Sequence, residues 1–212
     1  MSNTAQYATI PKNGVGQLSV ANTNRDGTGT LALVAFASAK SGGGARVDAL
    51  AIQATSTTTA GMLRFYLVKG RPLGNIASIT FVGTTAVVTT ELPHGLSTGQ
   101  TLTLMGAQPD EYNVIDAPVT VSSATSFTYV MGIAPVCNAT VVGSAASSLA
   151  VPVARLILET AVSAIVPSAT VLAFATTVRI GPLVLQAGWS LRASTHNAEA
   201  FNVIPTICGD FA

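Results

Sequence analysis

The sequence predicts an all-β protein, a jelly-roll-like β-sandwich with a small β-barrel domain inserted in a hairpin loop. Three observations predict it. Short apolar segments bounded by Gly, Pro and Ser recur roughly every ten residues, the rhythm of a sandwich or jelly roll. The 212 residues include 27 Thr, and Thr and Val suit a pleated, half-buried surface because their branched side chains are already stiff there. Third, residues 72–150 contain no Lys or Arg. They carry four acids, Glu91, Asp110, Glu111 and Asp116, while the rest of the chain holds all ten basic residues against five acids. The flanks of this stretch, 61–68 (GMLRFYLV) and 153–159 (VARLILE), read like the two arms of one hairpin. A domain grown out of that hairpin's tip accounts for the charge break.

Taken in order, residues 1–30 are rich in Asn, Thr and Gly and are expected to form an extended N-terminal arm, with 22–29 a loop. The scaffold domain is expected over 31–71 and 151–212. Its strands are read at 31–37, stopped by the Ser-Gly run of 41–44, and at 46–54, where Val47, Leu50 and Ile52 precede the polar run 55–59. The first hairpin arm, 62–68, follows. After the insert come 153–158, 162–166, 171–180 beyond Pro167, 183–185, 189–194 and 200–207. Only 156–166 has a spacing that a helix would tolerate, and its Val and Ile content with Pro152 and Pro167 nearby favours strand. Inside the insert, 79–90, 102–105, 119–122, 127–130 and 139–142 alternate like strands, with a turn at 93–99 (PHGLSTG). That is enough to close a small barrel.

Composition excludes several function classes. Charged residues are 9 % of the chain, against about 25 % in ordinary globular domains. So few charges leave an isolated protein poorly protected against association, which points to burial of much of its surface in an assembly. A net charge of +1 argues against free-standing nucleic-acid binding, which needs a basic stripe. The nearest approach to one, Arg64, Lys69 and Arg71, is expected to be a solvated strand face. The N-terminus lacks the basic start and apolar run of a signal peptide, and no apolar run is long enough for a membrane span. Cys137 and Cys208 make no disulfide framework and read as reduced structural thiols of a protein made in a cytoplasm.

No catalytic, cofactor-binding or metal residue is predicted. His94, in a Pro-His-Gly turn, is read as stabilising that turn by bonding backbone. His196, close to Asn197 and Glu199, is read as satisfying backbone groups or a subunit contact. A Cys208–His196–Asn197 nucleophile system is conceivable by residue type, but no nucleophile motif surrounds Cys208. Asp110, Glu111, Asn113 and Asp116 supply hard oxygens without the ligand pattern of a Ca²⁺ loop, and read as a solvated acidic loop. Gly42 to Gly44 lack the helix and the Lys-Ser/Thr of a phosphate cradle. Trp189, on an apolar strand, reads as core.

Two parts of the chain resemble known families. The insert's Pro93-His94-Gly95-Leu96, Thr98-Gly99, Gly106, Tyr112-Asn113 and the run 123–129 (SATSFTY) are similar to a small β-barrel module recurrent in tailed-bacteriophage virion proteins. That module is itself similar to the first catalytic-cysteine half-domain of ubiquitin-activating enzymes. It carries no ubiquitin chemistry, and Cys137 matches no catalytic cysteine of that family. The scaffold segments 55–68 and 167–204 resemble small phage structural proteins in which a short hairpin stands where the insert is here.

The resemblance implies a virion structural protein with no enzymatic activity, of the head decoration (cement) kind. Its expected partner is the major capsid protein or another virion protein, its expected form a homo-oligomer, most economically a trimer, and its insert is expected to project outward, with neither nucleic acid nor membrane involved. A tail, baseplate or head-fibre component contacting the host surface, or a carbohydrate-binding module, are the alternative expectations.

Overall fold

The computed structural model describes residues 15–37, 44–148 and 154–209. It contains fifteen strands and one helical turn, a 3-10 turn at Asp110–Tyr112. The strands, in chain order, are β1 (Gly16–Leu18), β2 (Ala32–Phe36), β3 (Gly44–Ala54), β4 (Gly61–Val68), β5 (Gly70–Pro72), β6 (Ile76–Val82), β7 (Thr85–Thr90) and β8 (Thr101–Gln108). Then follow β9 (Val114–Ser123), β10 (Ser126–Val130), β11 (Val141–Ser148), β12 (Ala154–Val162), β13 (Ala175–Gln186), β14 (Ser190–Thr195) and β15 (Phe201–Gly209).

The protein is an all-β sandwich. One four-stranded sheet has the order β1-β15-β3-β13 and the other β12-β4-β14-β2, all antiparallel. With the intervening strands set aside, the first body strand pairs with the eighth, the second with the seventh, the third with the sixth and the fourth with the fifth. This is one long hairpin rolled up on itself, the jelly roll. Between the sheets lie Val47, Leu50, Ile52, Leu63, Phe65, Leu185, Leu191, Phe201 and Val203, all essentially inaccessible. Alternation puts them there: on β4, Leu63 and Phe65 point inward, and on β14, Leu191 and Ala193 do so.

Strands β5 to β11 form a separate seven-stranded sheet, ordered β5-β11-β8-β9-β10-β7-β6. It curls until the Ala139 N–H donates to the Ile79 carbonyl at 3.0 Å, bringing the approach to β11 beside β6. Its core has its own fully buried aromatics, Tyr112, Phe127 and Tyr129. Both buried phenols find acceptors, Tyr129 Oη to the Tyr112 carbonyl at 2.7 Å and Tyr112 Oη to the Cys137 carbonyl at 2.9 Å. Burial pushes both phenol pKa values up. The sheet hangs on a two-stranded ribbon. In β4 and β12, Val68 stands opposite Ala154, and in β5 and β11, Gly70 stands opposite Ser148.

Several elements differ from the sequence reading. Gly16–Leu18 is an edge strand on β15, and Leu18 is core. Residues 15–30 therefore lie on the body, and only 1–14 of the expected arm fall outside the described residues. The single strand expected at 79–90 is a hairpin, β6 and β7, because Gly83 takes φ 57°, a turn conformation that an all-strand reading overlooks. The separate segments at 171–180 and 183–185 fuse into β13 from Ala175 onward. Pro182 is tolerated within it because β13 is an edge strand and the register slips between Arg179 and Leu183.

Candidate functional site

The outer face of the sheet β12-β4-β14-β2 should be wet by the alternation rule, since Arg64, Tyr66, Ser190, Arg192 and Ser194 are the residues facing away from the core. All five are buried. Two things cover them: the segment 19–31 and the inserted barrel.

The segment is tied down by its own amides. The Asn22 side chain donates to the Thr28 and Thr30 carbonyls at 2.8 and 3.0 Å, and its Oδ1 accepts the Asn24 N–H at 3.0 Å. The Asn22 N–H donates to the Thr195 carbonyl at 2.8 Å. From below, Arg64 Nη1 donates to the Asn22 carbonyl at 3.3 Å and Tyr66 Oη to the Asn24 carbonyl at 2.8 Å. Glu159 accepts from Arg64 Nε at 2.8 Å and pairs with Arg25 of the segment. The Arg64 hydrogen bond above all, aided by Arg25 against the opposing effect of burial, holds its carboxyl below the usual carboxylate range.

The barrel covers the other end, and a single carboxylate anchors it. Between β8 and β9 the pairing passes from Leu102–Ala117 to Leu104–Val114, so β9 holds one extra residue there. Asp116 sits in this bulge with φ 52°, a left-handed conformation that Asp tolerates better than most residues. A bulge re-aims a side chain. Here it turns Asp116 toward the body, where Arg192 of β14 grips it in bidentate fashion, Nη2 to Oδ1 at 2.8 Å and Nη1 to Oδ2. The Thr103 hydroxyl lies 3.4 Å from Asp116 Oδ1, and Ser190 Oγ accepts from Arg192 Nε at 3.3 Å. Beside the clamp, Phe36 and Leu33 of the body pack with Ala146 and Met105 of the barrel. At the root, Gly70 and Gly188 approach so closely that a Cβ on Gly70 would lie 2.3 Å from the Gly188 carbonyl oxygen.

A cleft of about 740 Å³ remains between the two units, lined by apolar side chains such as Phe36 and Val68, by neutral polar groups such as Gln100, Thr30 and Ser147, and by Lys69 and the clamp. It is of ligand size.

The residues singled out from the sequence fall as follows. His94 is buried in its turn, with Nε2 3.0 Å from the Ser123 carbonyl and Nδ1 accepting the Leu96 N–H at 2.9 Å. It holds backbone, as read. His196 donates its backbone N–H to the Met62 carbonyl, and its Nδ1 and the Ser194 hydroxyl are buried without partners among the described residues. Asn197 and Glu199 bind Thr59. Cys208 lies opposite Arg46, near the end of β15 remote from Phe201 and from His196. The conceivable Cys–His–Asn system is therefore not assembled. Cys137 is a free, exposed thiol. The acidic group does not converge: Asn113 spends its amide on both backbone groups of Ala107, and Asp116 is taken by Arg192. Among the described residues no cluster of His, Cys, Asp and Glu has a metal-binding arrangement.

The expected solvated face of Arg64, Lys69 and Arg71 holds only in part: Arg71 is exposed, Lys69 is half-buried and Arg64 is buried. Arg64 is buried on Glu159, Lys69 lies 4.8 Å from the centroid of the Trp189 ring, and Arg71 donates to the His94 and Gly95 carbonyls. Trp189 is partly buried against the core. The Arg192–Asp116 pair was not foreseen, since its members lie 76 residues apart and no local motif joins them. The only hint in the sequence is the acidic insert in a basic frame.

No protein-family model, no curated protein and no solved structure matches this chain.

Proposed function

We propose that this chain is a structural component of a tailed-phage virion, a capsid decoration protein whose jelly-roll body binds the assembled shell and stabilises it. The observation that carries the reading is the chemistry of the body's end remote from the insert. There the loops 55–60, 163–174 and 196–200 come together, Thr58 pairing with Ile165 and Glu199 binding Thr59. This end exposes Val166, Val171 and Leu172, the last at 88 %, and its one carboxylate is already occupied by Thr59. A neutral, apolar, Thr-rich surface of this kind favours a protein partner over nucleic acid or solvent. The resemblance of segments 55–68 and 167–204 to small phage structural proteins falls on the same surface and supports a virion protein as the partner, in this reading the major capsid protein.

The mechanism is linkage. A protein that binds the assembled shell and not its dispersed subunits adds its binding free energy to the shell's stability, and repetition around a symmetric particle multiplies a modest contact. No catalytic group is required. The test is to heat or osmotically shock particles with and without the protein. Particles that lack it are expected to release their contents at lower temperature, and particles carrying Leu172→Asp and Val166→Asp protein should behave like those that lack it. Equal stability in all three would remove the decoration role, and protein located on the tail would move it to the tail or fibre reading.

A further inference from the structure

The charges left without partners are divided between the two units. Of the described arginines, Arg25, Arg46, Arg64 and Arg192 each hold a carboxylate, and Arg71 holds two carbonyls. Arg155 and Arg179 are exposed and hold none among the described residues. They share one flank, because β12 and β13 are the edges of the two facing sheets and are joined by a single loop. Ile157 and Val184, 37 % and 61 % exposed, lie on the same two strands.

The barrel shows the opposite character. Among the described residues Glu111 makes no hydrogen bond or ion pair, and the Asp110 carboxylate meets only the amides of Gln108 and Asn113. This acidic turn adjoins the loop 131–140, since Tyr112 Oη bonds the Cys137 carbonyl and the Thr140 N–H bonds the Gln108 carbonyl. That loop exposes Ile133 and Val136 at 70 % and 87 %. One face is thus apolar and acidic, the other apolar and basic, in a chain with very few charges of either sign.

We infer that these two faces meet between copies of the chain: the Asp110–Glu111 face of one barrel packs on the Arg155–Arg179 flank of a second body. Charge complementarity selects this occupant. Two barrel faces brought together would oppose like charges, as would two flanks. A nucleic acid or an acidic membrane would be repelled by the barrel. A contact between unlike patches is heterologous, and repetition closes it into a ring when the rotation allows. It thereby supplies the surfaces through which a trimer would form. It does not rest on the shell reading, because it is read in free solution without particles.

The experiment is sedimentation velocity of the full chain from micromolar to near-millimolar concentration, at ionic strengths of about 0.05 and 0.5 M, between which the screening length falls from about 14 to about 4 Å. Wild-type protein is expected to associate, and to do so more weakly at high salt. Asp110→Lys with Glu111→Lys should weaken association about tenfold or more, as should Arg155→Glu with Arg179→Glu. The chain carrying all four changes should recover it. None of the four side chains has an ion-pair partner among the described residues, so the melting temperature of each variant confirms folding independently. Monomers at every concentration overturn the inference, as does association indifferent to salt and to both reversals, or a fourfold variant that stays dissociated.

Discussion

Removing the Asp116 carboxylate tests how the barrel is held on the body. In Asp116→Ala, Arg192 keeps only Ser190 and Thr103 as partners, with its side chain 10 % exposed. Exposed ion pairs are worth about 0–1 kcal/mol, while breaking a fully buried pair costs about 3–5 kcal/mol because a charge is stranded. The geometry lies between these limits: Asp116 is 42 % exposed and the adjoining cleft admits water to the guanidinium. The expected loss is about 1–3 kcal/mol, or roughly 2–10 °C in melting temperature for a chain of this size. Asp116→Gly should be less harmful than Ala by about 0.5–1 kcal/mol, since glycine is unstrained at φ 52°. A double-mutant cycle with Arg192→Met, read by calorimetry and urea denaturation, isolates the pair. A coupling free energy within about 0.3 kcal/mol of zero would refute the idea that this ion pair anchors the barrel. Two calorimetric transitions appearing in Asp116→Ala, where wild type shows one, would support it further.

Other outcomes follow from the same geometry. His94→Ala removes the partner of the buried Leu96 N–H and of the Ser123 carbonyl and is expected to cost about 1–3 kcal/mol by thermal melt. Tyr66→Phe should cost about 1 kcal/mol and speed hydrogen exchange in 19–31, whose Asn24 carbonyl that hydroxyl holds; unchanged exchange would show that the segment is held by other contacts. Glu159 has a folded pKa depressed below the ordinary value of 4.5. Its contribution is therefore fully present above that value and is lost as pH falls through the lower folded one. Glu159→Gln should flatten the acid limb of the stability–pH curve, and a curve of unchanged slope would show that another group governs it. Gly188→Ala places a Cβ 3.1 Å from Ala146 Cβ at φ 76° and should lower the melting temperature, whereas Gly83→Ala, with open space around it, should carry only the backbone strain of its own positive φ.

Much of the fold was legible because it depends on local rules. The body strands β2, β3, β4, β14 and β15 announce themselves by apolar runs between Gly, Pro and Thr, and the arms around the insert by their shared pattern. The turn at His94 was readable because a Pro-His-Gly sequence leaves the ring little to do except bond nearby backbone. Less legible were elements that depend on partners distant in sequence. Gly16–Leu18 is too short to signal a strand and becomes one only by lying on β15. The β6–β7 hairpin turns at a Gly inside an unbroken apolar alternation. The fate of the outward-facing residues of β4 and β14 was hidden for the same reason. Alternation tells which face a side chain is on, and nothing about what covers that face.

Sequence alone therefore determined that this chain is all-β, that it rolls into a sandwich, and that its acidic stretch emerges from a hairpin, because strand periodicity and charge composition are properties of short windows. Tertiary structure decided how the two units are joined. It buried Arg64, Tyr66 and Arg192 on a face that should be wet and bulged β9 so that Asp116 could reach an arginine 76 residues away. It also left Arg155 and Arg179 on one flank and Asp110 and Glu111 on another face. Such pairings arise only when the folded chain brings remote residues within a few ångströms, and no window of sequence contains that distance.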